Sequence, residues 1–191
     1  MKKIIFSMAF AAMAFTSGAQ VVPAPSPLAE ISQMVGLTEI ELEYSRPALN
    51  GRTILTEKFV PAEELWRTGA NSASKISFSE DVKISGTVVP AGTYGIFTVP
   101  GKERVEFILN SNSSQGGTGS YDMALDVLRI KVKMEETRNM LERMRFGIEN
   151  FDDSMAELVW EWGNYKFTVP IELSTTSIAK RKIDEKLKEM D

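Results

Sequence analysis

The sequence predicts an all-β fold, an antiparallel β-sandwich or barrel-like sandwich of about ten strands with a short C-terminal helix. Three observations carry this. Apolar residues recur with period two along most of the 191-residue chain, turn residues separate those runs at short spacing, and no βαβ rhythm appears. The length suffices for a sizeable hydrophobic core.

The strands follow in order. Thr38–Ser45 (TEIELEYS) sets Ile40, Leu42 and Tyr44 against Glu39, Glu41 and Glu43, a half-buried strand with an acidic outer face. Ala29–Val35 precedes it across Gly36 as the other arm of a hairpin. Asn50-Gly51 marks a turn. Lys75–Ser79, Val82–Ser85 and Thr87–Val89 are short strands, the last two parted by Gly86. Pro90-Ala91-Gly92 is a turn, and Pro100-Gly101 stops the aromatic and β-branched run Thr93–Val99. Val105–Asn110 follows, and after a loop Val127–Met134 alternates clearly. Glu135–Arg145 has helix-forming composition, but Met144, Phe146 and Ile148 alternate and favour a strand over Leu141–Glu149. Leu158–Trp162 and Tyr165–Leu173 flank Gly163-Asn164, a two-residue hairpin signal. In Ser177–Met190, Ala179, Ile183 and Leu187 lie at helical spacing, with N-cap candidates at Ser174 to Ser177.

The amino terminus carries an address. Lys2 and Lys3 precede the apolar run Ile4–Phe15, and Ser17-Gly18-Ala19 puts small residues before a cleavage between Ala19 and Gln20. That is the layout of a secretory signal peptide, too short to span a bilayer. The expected division is a signal peptide over 1–19, a Pro-rich extended leader over 20–27, a β-sandwich over 28–173 and a helix or tail over 174–191. The expected location is periplasmic or extracellular, with no transmembrane segment in the mature chain.

Composition narrows the chemistry. The chain has no His and no Cys, which excludes Ser-His-Asp triads, Cys nucleophiles, disulfides and thiolate or haem ligation. Loss of the signal peptide takes Lys2 and Lys3 with it, leaving 20 cations against 26 acids and a net charge of −6. No basic run accompanies that acidity, so a nucleic-acid partner is not expected. No metal or cofactor motif is read. Gly116-Gly117-Thr118-Gly119 lacks the Gly-Lys-Ser/Thr ending of a P-loop. Asp122 with Asp126, or Asp152 with Asp153, would serve a carboxylate-dependent hydrolase of envelope glycans or polymers only if they faced one cleft. Solvated loop acids are the plainer reading, and no catalytic residue is assigned.

Two stretches are denser in Arg, Trp, Asn and Gly than a core requires. One is Tyr44-Ser45-Arg46-Pro47 with Gly51-Arg52; the other is Trp66-Arg67-Thr68-Gly69-Ala70-Asn71. Together with Ala91–Pro100 (AGTYGIFTVP), their order resembles the secreted bacterial family catalogued as domain of unknown function 2911, frequent in Bacteroidetes. Tyr121-Asp122, Asp126–Arg129 and Trp160-Glu161-Trp162 fit the same pattern, and the likeness runs over about Pro27 to Leu173. It implies an exported β-rich domain without an assigned activity. Relatives of that family often place an aromatic in the loop corresponding to Ser111–Ser120, which here reads SNSSQGGTGS. Asp153-Ser154-Met155 is similar to the O-glycosylation sites of Bacteroidetes exported proteins, with Ser154 as acceptor.

Two readings of the dense stretches stay open. Arg46, Arg52, Trp66, Arg67, Asn71 and Tyr94 would line a cleft for a small anionic or carbohydrate-like ligand, with Arg forks for the anion and Trp66 as a stacking platform. Alternatively the same residues tie long connections to the sandwich, a role left vacant by the missing disulfides.

Overall fold

The computed structural model describes residues 23–56 and 59–190. Among them, strands form two antiparallel sheets. The six-stranded sheet runs β1 (Leu28–Val35), β2 (Thr38–Ser45), β3 (Ser74–Phe78), β6 (Gly92–Pro100), β7 (Arg104–Asn110), β8 (Asp126–Lys133). The four-stranded sheet runs β5 (Thr87–Val89), β4 (Val82–Ile84), β10 (Met155–Leu173), β9 (Glu135–Glu149). Neither sheet closes into a barrel, so the expected ten-strand sandwich is an open one. The signal peptide and its Ala19–Gln20 cleavage lie outside the described residues.

Period two explains the layers. Ile40, Leu42 and Tyr44 of β2 pack inward with Ile76 and Phe78 of β3, Tyr94 and Ile96 of β6, and Val105, Phe107 and Leu109 of β7. The facing sheet supplies Phe146, Leu158, Trp160, Trp162, Phe167 and Val169. Each such side chain removed from water contributes about 1.5–3 kcal/mol. Charged residues on the intervening positions leave the other face of the six-stranded sheet polar.

Two elements differ from the sequence expectation. The whole of Glu135–Glu149 is one strand, because its early residues pair with Tyr165 and Lys166 of β10. Met155–Leu173 is also one strand, with no hairpin at Gly163-Asn164. Inward residues are even-numbered from Ala156 to Trp162 and odd-numbered from Phe167 to Leu173. A register irregularity at Gly163 makes that switch, with φ +60 there. Two alternating runs of opposite phase around Gly-Asn imitate the arms of a hairpin.

The final helix, α1 (Thr175–Lys188), buries an apolar side chain only in its first turn. Ile178 is buried, while Ile183 and Leu187 of the expected stripe are exposed. Ser174 occupies the N-cap without a side-chain cap bond. Arg181 and Lys182 hold the helix to Glu80 at 2.5 and 3.1 Å. No described helix is long and apolar enough to cross a membrane. The leader is tied down where it is described. The Pro25, Ser26 and Pro27 carbonyls accept bonds from Arg143, Asn71 and the Arg46 amide.

Candidate functional site

The connection between β2 and β3 contains both dense stretches and works as a belt between the sheets. Residues 47–49 add to the β9 edge, with Ala48 bridging Arg143 and the Met144 amide donating to the Pro47 carbonyl at 3.0 Å. The belt then returns to β6, where Trp66 and Thr98 exchange backbone bonds of 2.7 and 2.9 Å. Several of its side-chain-bearing residues sit at positive φ, among them Asn50, Val60, Thr68 and Asn71. Such backbone persists only where the surroundings over-determine it.

The side chains of the belt supply that determination. Arg46 Nε donates to the Met144 carbonyl at 3.0 Å. Arg52 donates to the Leu49 and Ala48 carbonyls at 2.8 and 2.9 Å, with its guanidinium carbon 3.8 Å from the Phe59 ring centroid. Trp66 points into the core, stacked on Trp162 at 6.0 Å and edge-on to Trp160 at 6.1 Å. Asn71 Nδ2 donates to Ser45 Oγ at 3.1 Å. Tyr94 is buried on β6 against Phe78, and its hydroxyl donates to the Pro90 carbonyl at 2.7 Å. Burial first, and Asp81 second, raise the Tyr94 pKa. Arg67 differs from the other cations, because its Nε is buried without a hydrogen-bond partner. Of the six, five therefore have their distinguishing groups engaged by the protein itself, Arg52 and Asn71 at its surface.

A second polar cluster joins Tyr121, Asp126 and Arg129, which the sequence offered as family features without a shared site. It lies on the outer face of the six-stranded sheet, where Phe97, Ile108 and Ala73 form a small apolar patch beside Tyr121. The Tyr121 hydroxyl donates to the Asp126 carboxylate at 2.6 Å. Arg129 donates to Asp126 at 2.7 Å and to the Tyr121 oxygen at 2.5 Å, and pairs with Glu106. Asn110 Nδ2 adds a bond of 2.8 Å to Asp126. Burial first, then the Asp126 carboxylate, push the Tyr121 pKa up to about 12. For Arg129 burial works against the charge, yet Asp126 and Glu106 outweigh it and raise the pKa. The signal for this cluster was present as Asp126 and Arg129 three apart. A strand alternation hides it, because a register irregularity at Asn110 is what brings Asp126 beside Arg129.

The same outer face holds two clefts. One of about 640 Å3 lies between the β6–β7 turn, β8 and the belt at Ala62 and Glu63. The other, about 510 Å3, runs over β1, β2, β3 and β6, with Glu30, Glu41, Glu43 and Lys75 among its walls. None of Arg46, Arg52, Trp66, Arg67, Asn71 or Tyr94 lines either one.

Residues 26–171 match the family model described as protein of unknown function DUF2911. The chain belongs to this family. No curated protein and no solved structure matches it. The match covers the sandwich of the DUF2911 chain from the anchored leader into the last residues of β10, ending two residues before Leu173.

The remaining candidates in this DUF2911 domain are accounted for individually. Asp122 caps the short 3-10 turn Met123–Leu125 through the Ala124 amide, and Asp126 belongs to the cluster above. Asp152 accepts bonds from the Ser154 amide and hydroxyl, at 2.7 and 2.9 Å, in the exposed β9–β10 turn. Those bonds hold its pKa below the ordinary Asp range. Ser154, the O-glycosylation candidate, is exposed in that turn. Ser74 Oγ donates to the Thr68 carbonyl, and Lys75 pairs with Glu43 at 2.8 Å. Glycines 116, 117 and 119 lie in a loop and do not open a helix.

Proposed function

We propose that this DUF2911 domain is an exported, non-catalytic module that acts by binding a small anionic or carbohydrate-like ligand. It is released to the periplasm or beyond after cleavage between Ala19 and Gln20. One observation carries the binding half. The outer face of the six-stranded sheet keeps two clefts with charged walls open, while the opposite face is filled by the core. The geometry favours the belt as the clasp of the fold, since Arg46, Arg52 and Asn71 are bonded to protein oxygens and Trp66 packs on the core tryptophans. Arg67 is the member whose Nε is left for another partner.

The test is a thermal-shift screen of the chain from Gln20 to Asp191 against neutral oligosaccharides, uronate oligomers, phosphates and calcium. A ligand of the native state raises the melting temperature by mass action. We expect a saturable rise with a member of the sugar or anion sets, undiminished by Arg46→Gln. A flat response across every set would overturn the binding reading. N-terminal sequencing of exported protein should begin at Gln20; full-length chain retained in the cytoplasm would overturn the export reading.

A further inference from the structure

The larger cleft is lined by three cations, Lys102, Arg104 and Lys131, and three acids, Glu63, Glu103 and Glu106, of which Glu106 is engaged by Arg129. On the outer face, β7 and β8 set Arg104 directly opposite Lys133 and Glu106 directly opposite Lys131. Like charges directly opposed across a sheet are unfavourable, and opposite charges favourable. The second pair would therefore be expected to offset the first. It does not, because Arg129 has drawn the Glu106 carboxylate along the strand into the cluster with Asp126 and Tyr121.

Lys131 is thereby deprived of its cross-strand acid. Neither it nor Arg104, nor Lys102 in the β6–β7 turn, is ion-paired among the described residues. All three line the cleft of about 640 Å3. Lys133, beside them on β8, reaches only the exposed Glu135 at 3.5 Å. Two further acids line the same cleft, Glu103 and Glu63, the latter over Gly101. A side chain at 101 would meet Glu63 Oε1 at 2.5 Å and the Arg104 carbonyl at 2.8 Å, so Glu63 is seated against the turn.

We propose that this cleft binds a small ligand carrying two or more carboxylate or phosphate groups, held by Lys131, Arg104 and Lys102. Arg presents a fork suited to either anion and Lys a mobile point charge. Val99, Gly101 and Ala62 add apolar surface to the lining. Asp126, Tyr121 and Arg129 act behind it, by holding Glu106 away from Lys131. This assignment rests on the binding reading above and names its site and ligand chemistry.

The experiment is calorimetric titration of the chain from Gln20 to Asp191 with trigalacturonate, with tripolyphosphate and with a neutral trisaccharide, at low and raised salt. Binding of a polyanion that weakens with salt is expected, and the stronger arm tells carboxylate from phosphate. Arg104→Gln with Lys131→Gln, both exposed, should weaken it at least tenfold. The control pair Lys166→Gln with Lys180→Gln, on other surfaces, should leave it within twofold. Lys133→Glu, which sets a carboxylate opposite Arg104, should raise the melting temperature of the free protein and weaken polyanion binding. Polyanion binding unchanged by the Arg104 and Lys131 substitutions overturns this site. Binding of the neutral sugar alone overturns it too, yet leaves the binding reading standing. No binding in any arm, repeated with the wider screen, removes both.

Discussion

Replacement of Asp126 by Ala should be among the most damaging single changes outside the main core. The carboxylate is 8% exposed and receives Tyr121, Asn110 and Arg129 at 2.6, 2.8 and 2.7 Å. Its removal leaves the Tyr121 hydroxyl without its acceptor, Asn110 with only the Asp122 carbonyl, and Arg129 with Glu106 as its one carboxylate. A hydrogen bond to a charged group is worth about 1.5–3 kcal/mol, and breaking a buried ion pair costs about 3–5 kcal/mol. Arg129 keeps one carboxylate and some solvent, so a loss of about 3 kcal/mol is expected. Tyr121→Phe removes only the hydroxyl and should cost about 1 kcal/mol. Urea unfolding at neutral pH measures both, and the double variant gives their coupling. The tyrosine titration is a second readout. Wild-type Tyr121 should ionise near 12, and in the Ala variant its midpoint should fall toward the ordinary value of 10.0. The folded pKa is raised, so the stabilisation is complete below pH about 10 and is lost as pH rises toward 12. Solvent around the half-buried ring screens it to roughly 1 kcal/mol. A cost under about 1 kcal/mol for Asp126→Ala, or an ordinary Tyr121 titration in the wild type, would refute this account.

Further expectations concern the clasp, the turns and acid pH. Trp66→Ala should cost about 3 kcal/mol by removing the partner of Trp160 and Trp162, seen as an earlier urea midpoint and altered near-ultraviolet dichroism. Gly36→Ala should destabilise and undock α1, because Gly36 has φ +57 and a Cβ there meets the Asp153 carbonyl at 2.7 Å and the Thr175 hydroxyl. Amide exchange in residues 174–180 would show the undocking, and exchange unchanged from wild type would refute it. Gly163→Ala should cost about 1 kcal/mol at its left-handed φ, measured by the same unfolding, without loss of strand content. Carboxyl NMR should find Asp152 titrating below the ordinary Asp range. Its folded pKa is lowered, so its contribution is present above that range and fades as pH falls through the lowered midpoint. Ser154→Ala, which keeps the amide bond and removes the hydroxyl, should move that midpoint up by part of the shift.

Strand identity was legible because burial imposes period two, as in β2, where Glu39, Glu41 and Glu43 face out and Ile40, Leu42 and Tyr44 face in. Phase within one strand was less legible. At Gly163 the inward set changes parity, and the same residue pattern serves a bulge or a turn. Helix docking was partly legible: helical spacing selected Ala179, Ile183 and Leu187, but Ile178 in the first turn is the side chain that is buried. The candidate residues were legible as a group and not as a role. Arg46 and Arg52 look the same in sequence whether their forks meet a ligand or a carbonyl, and only the path of the belt past Met144 and Leu49 decides it.

That ambiguity has a physical source in the two absences of the composition. A sandwich with a connection as long as the one from Arg46 to Ala73 must pin it, and without Cys it has side-chain hydrogen bonds and aromatic packing to do so. Arg, Trp and Asn are the residue types best suited to that pinning, and also those most often found at binding sites. Enrichment in them is therefore a poor guide to a ligand in this fold. A charge whose geometric partner has been taken elsewhere is a better one, since pinning explains residues that are bonded and not those left unpaired. Lys131 fits that description, because Glu106 lies directly opposite it in register and is turned to Arg129 instead. The search for ligand chemistry in this domain accordingly moves from the belt to β8 and the cleft in front of it.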